Sequence, residues 1–255
     1  MHREVSDNQV AWQTASAKYV REHADLLRQA REEPEEPEEP LLTEVERRLL
    51  DPLLASAPAV VHLQSGHGLD DVALIAAGAR SVVGVDYSEV AAGSARQRAV
   101  ELGLPVAYVV AEVPATALRA EWADLVYTGK GALIWMRDLT AWAADVARLL
   151  RPGGHLFVFE GHPAAALWSW DEDEPRVRPD RSYFGPSHVN DSFPALGARE
   201  WQWTLGQVVT AVVDAGLQLR HLGEHAEPFW RPGDVTAAAW DGRLPNTFSL
   251  LARRR

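Results

Sequence analysis

The sequence has no cysteine. Disulfides, thiolate metal sites and a cysteine nucleophile are thereby excluded, and nothing points to an oxidising compartment. Long apolar runs are missing too, and none approaches the roughly 18–20 residues of a membrane span. The opening Met1-His2-Arg3-Glu4-Val5-Ser6-Asp7 lacks the apolar core of a secretory signal, so a soluble cytoplasmic protein is expected. Basic charge is in deficit, with 25 Lys and Arg against 36 Asp and Glu. A net charge of -11 offers no footprint for a phosphate backbone, and Arg253-Arg254-Arg255 is too short to reverse that. Nucleic acid and membrane are therefore not expected partners. There is no G-x-S-x-G elbow, so hydrolase chemistry has no support. His188, His221 and His225 fall in no metal-ligand spacing, so no metal is expected.

What is present suits one well-filled core with a small cap: 255 residues, 47% of them apolar. Val10, Trp12, Tyr19, Val20, Leu26 and Leu27 recur at helical spacing over residues 8–29, which predicts one or two amphipathic helices. A Glu-Glu-Pro repeat over 31–40 predicts an extended, solvated linker, because proline removes amide donors and the glutamates repel. Thr43 and Glu46 form a capping box for a helix to about Leu54.

From there strand and helix alternate. Strands are predicted over 60–63, 81–86, 106–110, 124–127 and 155–160, and helices over 70–77, 89–102 and 139–150. Continuous apolar strands separated by helices predict a doubly wound, Rossmann-like parallel sheet. Residues 168–197 show no period and read as an insertion, about 163–203 in all, over the site. Thr204 and Gln207 cap a helix to Ala215, and strands over 217–222 and 247–251 close the chain as an antiparallel hairpin edge.

The site is predicted at the turn Gln64-Ser65-Gly66-His67-Gly68. Glycines admit close backbone approach, and the helix behind the turn offers free amides. Asp86 ends the second strand about 20 residues on, where a carboxylate can accept from ribose hydroxyls. Nicotinamide, flavin and adenosyl cofactors all use this arrangement, and the full G-x-G-x-x-G pattern is absent.

The order and spacing of Val60–Gly68, Val83–Ser88, Ala111-Glu112, Asp124–Gly131 and Leu149-Leu150-Arg151-Pro152-Gly153-Gly154 resemble the class I S-adenosylmethionine-dependent methyltransferases. The likeness runs over about 43–253, which makes 1–42 a lid with its linker and 43–255 the catalytic domain. It implies S-adenosyl-L-methionine as cofactor and a small-molecule substrate. Carried over, the methionine part falls to His62, Gln64, Ser65, Gly66 and Gly68, the ribose to Asp86 with Tyr87, and the adenine to Ala111 and Glu112. Thr128 and Gly129 would lie beneath the sulfonium, and Trp12 and Tyr19 resemble a lid helix over the cofactor. The family usually has an acid where His62 stands and glycine where Gln64 stands, although His-Leu-Gln resembles one actinobacterial-looking subgroup.

Methyl transfer needs alignment, a dry pocket and, for poorly nucleophilic acceptors, a base. His162, just past the fifth strand, is the first candidate base, and a structural or substrate-orienting histidine is the competing reading. Glu160 would pair with it or bind an amine. His67 reads as a shaping residue and Asp70 as a helix cap. Trp135, Trp168, Trp170, Tyr183, Phe184 and Trp230 are candidate pocket walls or core, favouring an aromatic or apolar substrate. A nicotinamide oxidoreductase, a non-methylating enzyme on the same fold and a non-catalytic binding module share parts of the pattern.

Overall fold

The computed structural model describes residues 3–32, 42–114, 116–168, 176–191, 197–229 and 243–255. The Glu-Glu-Pro repeat at 33–40, Trp170 and Trp230 lie outside the described residues. Two compact units are formed, 1–116 with 190–198 and 117–189 with 199–255.

The first unit opens with one long helix, α1 (Arg3–Glu32). The capping box forms: the Thr43 hydroxyl accepts from the Glu46 amide at 3.3 Å, and the Glu46 carboxylate accepts from the Thr43 amide at 2.8 Å. It starts α2 (Glu44–Leu54), which buries Leu50 and Leu54. Then follow β1 (Ala59–Leu63), α3 (Leu69–Ala76), β2 (Ser81–Asp86), α4 (Glu89–Glu101) and β3 (Val106–Val110). β1 is buried throughout, as a strand covered on both faces must be. β1 pairs parallel with β2, and β2 parallel with β3. Ala92, Ala95 and Ala99 of α4 pack on Tyr108 of β3, their small side chains drawing helix and strand close.

The second unit holds β4 (Ala123–Gly129), α5 (Leu139–Leu149), β5 (Leu150–Gly161), β6 (Ser187–Val189), β7 (Arg199–Trp201), α6 (Leu205–Asp214), β8 (Leu217–His225) and β9 (Thr247–Arg254). β5 begins five residues before its predicted start. Arg151–Gly154, which lie between the predicted helix and strand, instead bulge within β5, since Ala123 pairs with Leu150 but Leu125 with His155. β9 is antiparallel to both β5 and β8, its neighbours. The insertion carries more structure than its composition predicted: a 3-10 turn at Ala165–Leu167, a bridge from Trp168 to Val177, and a two-stranded ribbon of β6 with β7. The strand order β3-β2-β1-β4-β5-β9-β8 makes a seven-stranded, mostly parallel sheet, the doubly wound architecture that was expected.

Candidate functional site

In the first unit the turn after β1 is coiled by positive φ at Gln64 (59°), Gly66 (53°) and Gly68 (74°). Glycine takes this region freely; for Gln64 it costs about 1–2 kcal/mol. The turn is tied down by Ser65 N to Val85 O at 2.9 Å and Gly68 N to Ser65 O at 3.0 Å. A Cβ at Gly66 would meet nothing nearer than the Trp12 ring at 3.9 Å, so the backbone there is open. A Cβ at Gly68 would overlap the Tyr108 hydroxyl. The Ser65 hydroxyl is buried and has no hydrogen-bond partner among the described residues.

Asp86 ends β2 with its carboxylate buried. One oxygen accepts from the Gly66 amide at 3.0 Å, the other from the Ser88 amide at 2.8 Å. The Trp12 indole also donates to it. Burial holds its pKa above the usual carboxylate value despite these bonds. The Tyr87 hydroxyl is pushed up by burial, then by Asp86 and Glu112. The Ala111 amide donates to the Asp86 carbonyl at 3.0 Å, and Glu112 beside it is exposed. α1 lies against this group. Gln9 donates to the Tyr87 carbonyl at 3.0 Å and the Ser88 hydroxyl to Gln13 at 2.7 Å. The Trp12 and Tyr19 rings stand 6.0 and 4.3 Å from the His67 ring.

The His62 ring, expected among the cofactor contacts, is buried in the core with Nδ1 2.6 Å from Oδ1 of Asp71 on α3, a carboxylate that sequence reasoning passed over. Asp70, read as a helix cap, sits inside the first turn of α3, whose N-cap is Gly68.

In the second unit β4 ends in Thr128-Gly129, where the buried Thr128 hydroxyl has no hydrogen-bond partner among the described residues. A Cβ at Gly129 would overlap the Phe159 carbonyl oxygen. The chain then turns through Lys130 (φ 56°) and Gly131 (φ 95°), and the next amides converge on Glu160. Gly131, Ala132 and Leu133 donate to its carboxylate at 2.8, 2.7 and 2.8 Å, and the Gly161 amide adds a fourth bond. Burial raises the Glu160 pKa against those bonds.

His162 Nε2 lies 2.9 Å from Glu224 of β8, and Nδ1 accepts from the Ala164 amide at 3.1 Å. Both ring nitrogens are thus engaged: Nε2 carries the proton donated to Glu224, and Nδ1 has spent its lone pair. Burial lowers the His162 pKa, with Glu224 acting in the opposite direction. Glu224 was missed, although the alternation along 217–225 marks it as one outward-facing residue of β8.

Among the candidate pocket walls, Trp135, Trp168 and Tyr183 are half-buried, and the Tyr183 hydroxyl accepts from the Leu205 amide at 3.3 Å. Phe184 is 87% exposed and walls nothing in this unit. Trp142 is core, fully buried. No group of three or more ligating side chains able to hold a metal ion occurs among the described residues, and no helix there is long and apolar enough to cross a membrane.

Residues 60–154 match the family model described as a methyltransferase domain. This chain has the fold of class I S-adenosylmethionine-dependent methyltransferases of known structure. The S-adenosylmethionine-dependent methyltransferase of Mesorhizobium loti is similar to it in fold, with a TM-score of 0.64 at 24% identity over 80% of this chain and 96% of that one. A candidate S-adenosylmethionine-dependent methyltransferase from Listeria monocytogenes gives 0.63 at 18% identity, covering 78% and 90%. Geranyl diphosphate C-methyltransferase from Streptomyces coelicolor, solved with S-adenosyl-L-homocysteine, gives 0.55 at 15%, covering 86% of each chain. No curated protein sequence matches. The matched span contains the turn, Asp86, Glu112 and Thr128, and stops at Gly154, before Glu160 and His162.

Proposed function

We propose that this chain binds S-adenosylmethionine on its first unit and methylates a small aromatic or apolar metabolite. The observation that carries the cofactor assignment is the junction of Asp86 with the turn. A buried carboxylate at the end of β2 is fastened to the amide of Gly66, whose α-carbon is uncovered, and an unpartnered serine hydroxyl stands beside it. These groups fit an adenosyl cofactor: a carboxylate, with Tyr87 beside it, for the ribose diol, exposed turn backbone and the Ser65 hydroxyl for the amino-acid part, with Ala111 and Glu112 toward the adenine. When bound, the sulfonium supplies an activated methyl group for in-line displacement.

Asp86 already accepts from two amides and the Trp12 indole, which leaves about one free acceptor position on a carboxylate. A ribose diol takes two. Trp12 is the donor free to yield, and α1 is accordingly assigned as the lid over the ribose.

His162, the first candidate base, and Glu160, expected to pair with it or bind an amine, are assigned other work. Glu160 shapes the loop after β4 through backbone amides, and His162, with neither nitrogen free, orients the segment after β5. The half-buried Trp135, Trp168 and Tyr183 support the aromatic or apolar character of the acceptor. Calorimetry with S-adenosylmethionine and S-adenosylhomocysteine tests the reading: both bind, and Asp86→Ala loses about 1.5–3 kcal/mol of affinity. Unchanged affinity in the variant removes the ribose role. A folded protein that binds neither compound removes the enzyme.

A further inference from the structure

The turn at Gln64–Gly68 has two stems, the end of β1 and the first turn of α3. One side chain from each meets in the core, His62 from two residues before the turn and Asp71 from three residues after it, at 2.6 Å. Both are essentially inaccessible to solvent. The pair therefore closes the strand–turn–helix loop as a crosslink would, fixing the angle at which α3 leaves β1.

Two further side chains brace it. Burial and then the Asp71 carboxylate push the Tyr108 hydroxyl of β3 up, and its ring fills the space that a side chain at Gly68 or Gly84 would need. Arg98 of α4 donates to the His67 carbonyl, holding the turn's backbone directly, and lies near enough to Tyr108 to act on it electrostatically. A buried carboxylate costs several kcal/mol unless it is paired and hydrogen-bonded. One Asp71 oxygen meets His62 and the other is buried with no hydrogen-bond partner among the described residues, so the histidine carries that cost. An imidazole on β1 thus faces a carboxylate on α3.

We propose that His62 and Asp71, braced by Tyr108 and Arg98, are positioning residues that set cofactor affinity by holding the shape of the Gln64–Gly68 backbone. This rests on the cofactor reading above. Neither residue touches the cofactor; both act through the turn between them. The pair works as a unit, so its members are exchangeable while either alone is not.

The test is S-adenosylhomocysteine titration of the full chain by calorimetry, with circular dichroism at the same temperature to confirm folding. Asp71→Asn keeps the volume but removes the charge, and weakens binding about tenfold or more. His62→Asp sets two carboxylates face to face and weakens it further or prevents folding. The reciprocal exchange H62D/D71H restores affinity to within about threefold of the parent. Where a single variant fails to fold, the exchange alone decides. A folded D71N with lower thermal stability and unmoved Kd makes the pair a core contact only and overturns the inference. So does a folded exchange variant that still binds weakly. If the unmodified chain itself does not bind, the cofactor reading has failed first, and that outcome is distinct from equal binding by parent and D71N.

Discussion

Glu160 shows how a single residue can be conspicuous in a sequence for one reason and matter in the fold for another. At the end of an apolar strand, beside a histidine, a carboxylate invites a catalytic assignment. Its partners are backbone amides of Gly131, Ala132 and Leu133, and amides leave no trace in the side-chain letters. In the fold, positive φ at Lys130 and Gly131 turns the chain after β4, and those three amides converge on one carboxylate as their acceptor. Glu160→Gln tests the arrangement. The carboxamide keeps one acceptor oxygen and turns an NH2 toward amide donors, so unfolding free energy falls by about 2–3 kcal/mol in urea denaturation. A loss under about 0.5 kcal/mol would mean that the loop holds its shape without the carboxylate. His62 is parallel, since the resemblance alone made it a cofactor contact and only the three-dimensional structure shows its meeting with Asp71.

At the scale of elements, local rules were enough wherever the deciding groups lie close in sequence. The capping boxes at Thr43 and Thr204 start α2 and α6 one residue later, and β2 and β3 fall on their predicted bounds, because caps and apolar runs act over a few residues. The early start of β5 and the β6–β7 ribbon depend on partners that are far away in the chain, so no local period announced them. α1 belongs with these. Its amphipathic spacing was legible, but not what it leans on: Gln9, Trp12 and Gln13 attach it to Tyr87, Asp86 and Ser88 at the end of β2. Each such bond is worth about 0.5–1.5 kcal/mol, little against the cost of ordering a long helix with an exposed face. The double variant Q9A/Q13A therefore raises amide hydrogen exchange across α1 while β1 and β2 keep their protection. Equal exchange in α1 would show that its buried Ala11, Ala15 and Ser16 hold it without those side chains.

For the molecule as a whole, stability should depend on pH with a definite sign. His155 on β5 has its pKa lowered first by burial, then by Arg253 and Arg220; His162 is lowered by burial against Glu224. An unfolded histidine takes its proton near 6.5 (roughly), so between that value and the lower folded ones the unfolded chain binds more protons. Stability from these residues is fully present above the unfolded pKa and is lost as pH falls through the folded values. The buried carboxyls of Asp86 and Glu160 act the other way: their pKa values are raised, so acidification toward the unfolded carboxyl range favours the folded state. A net charge of -11 adds a self-repulsion that acid also relieves. The thermal midpoint of the parent alone therefore mixes opposed contributions, and the informative quantity is a difference. His155→Asn removes one histidine from the acid side while leaving the carboxyls and nearly all the net charge in place. Its midpoint falls less than the parent's between about pH 7.5 and 5.5, the two curves converging in alkali apart from a constant offset. Curves that run parallel throughout would mean that His155 binds its proton equally well in the folded and unfolded chain, and the burial and the two arginines would then have no net effect on it.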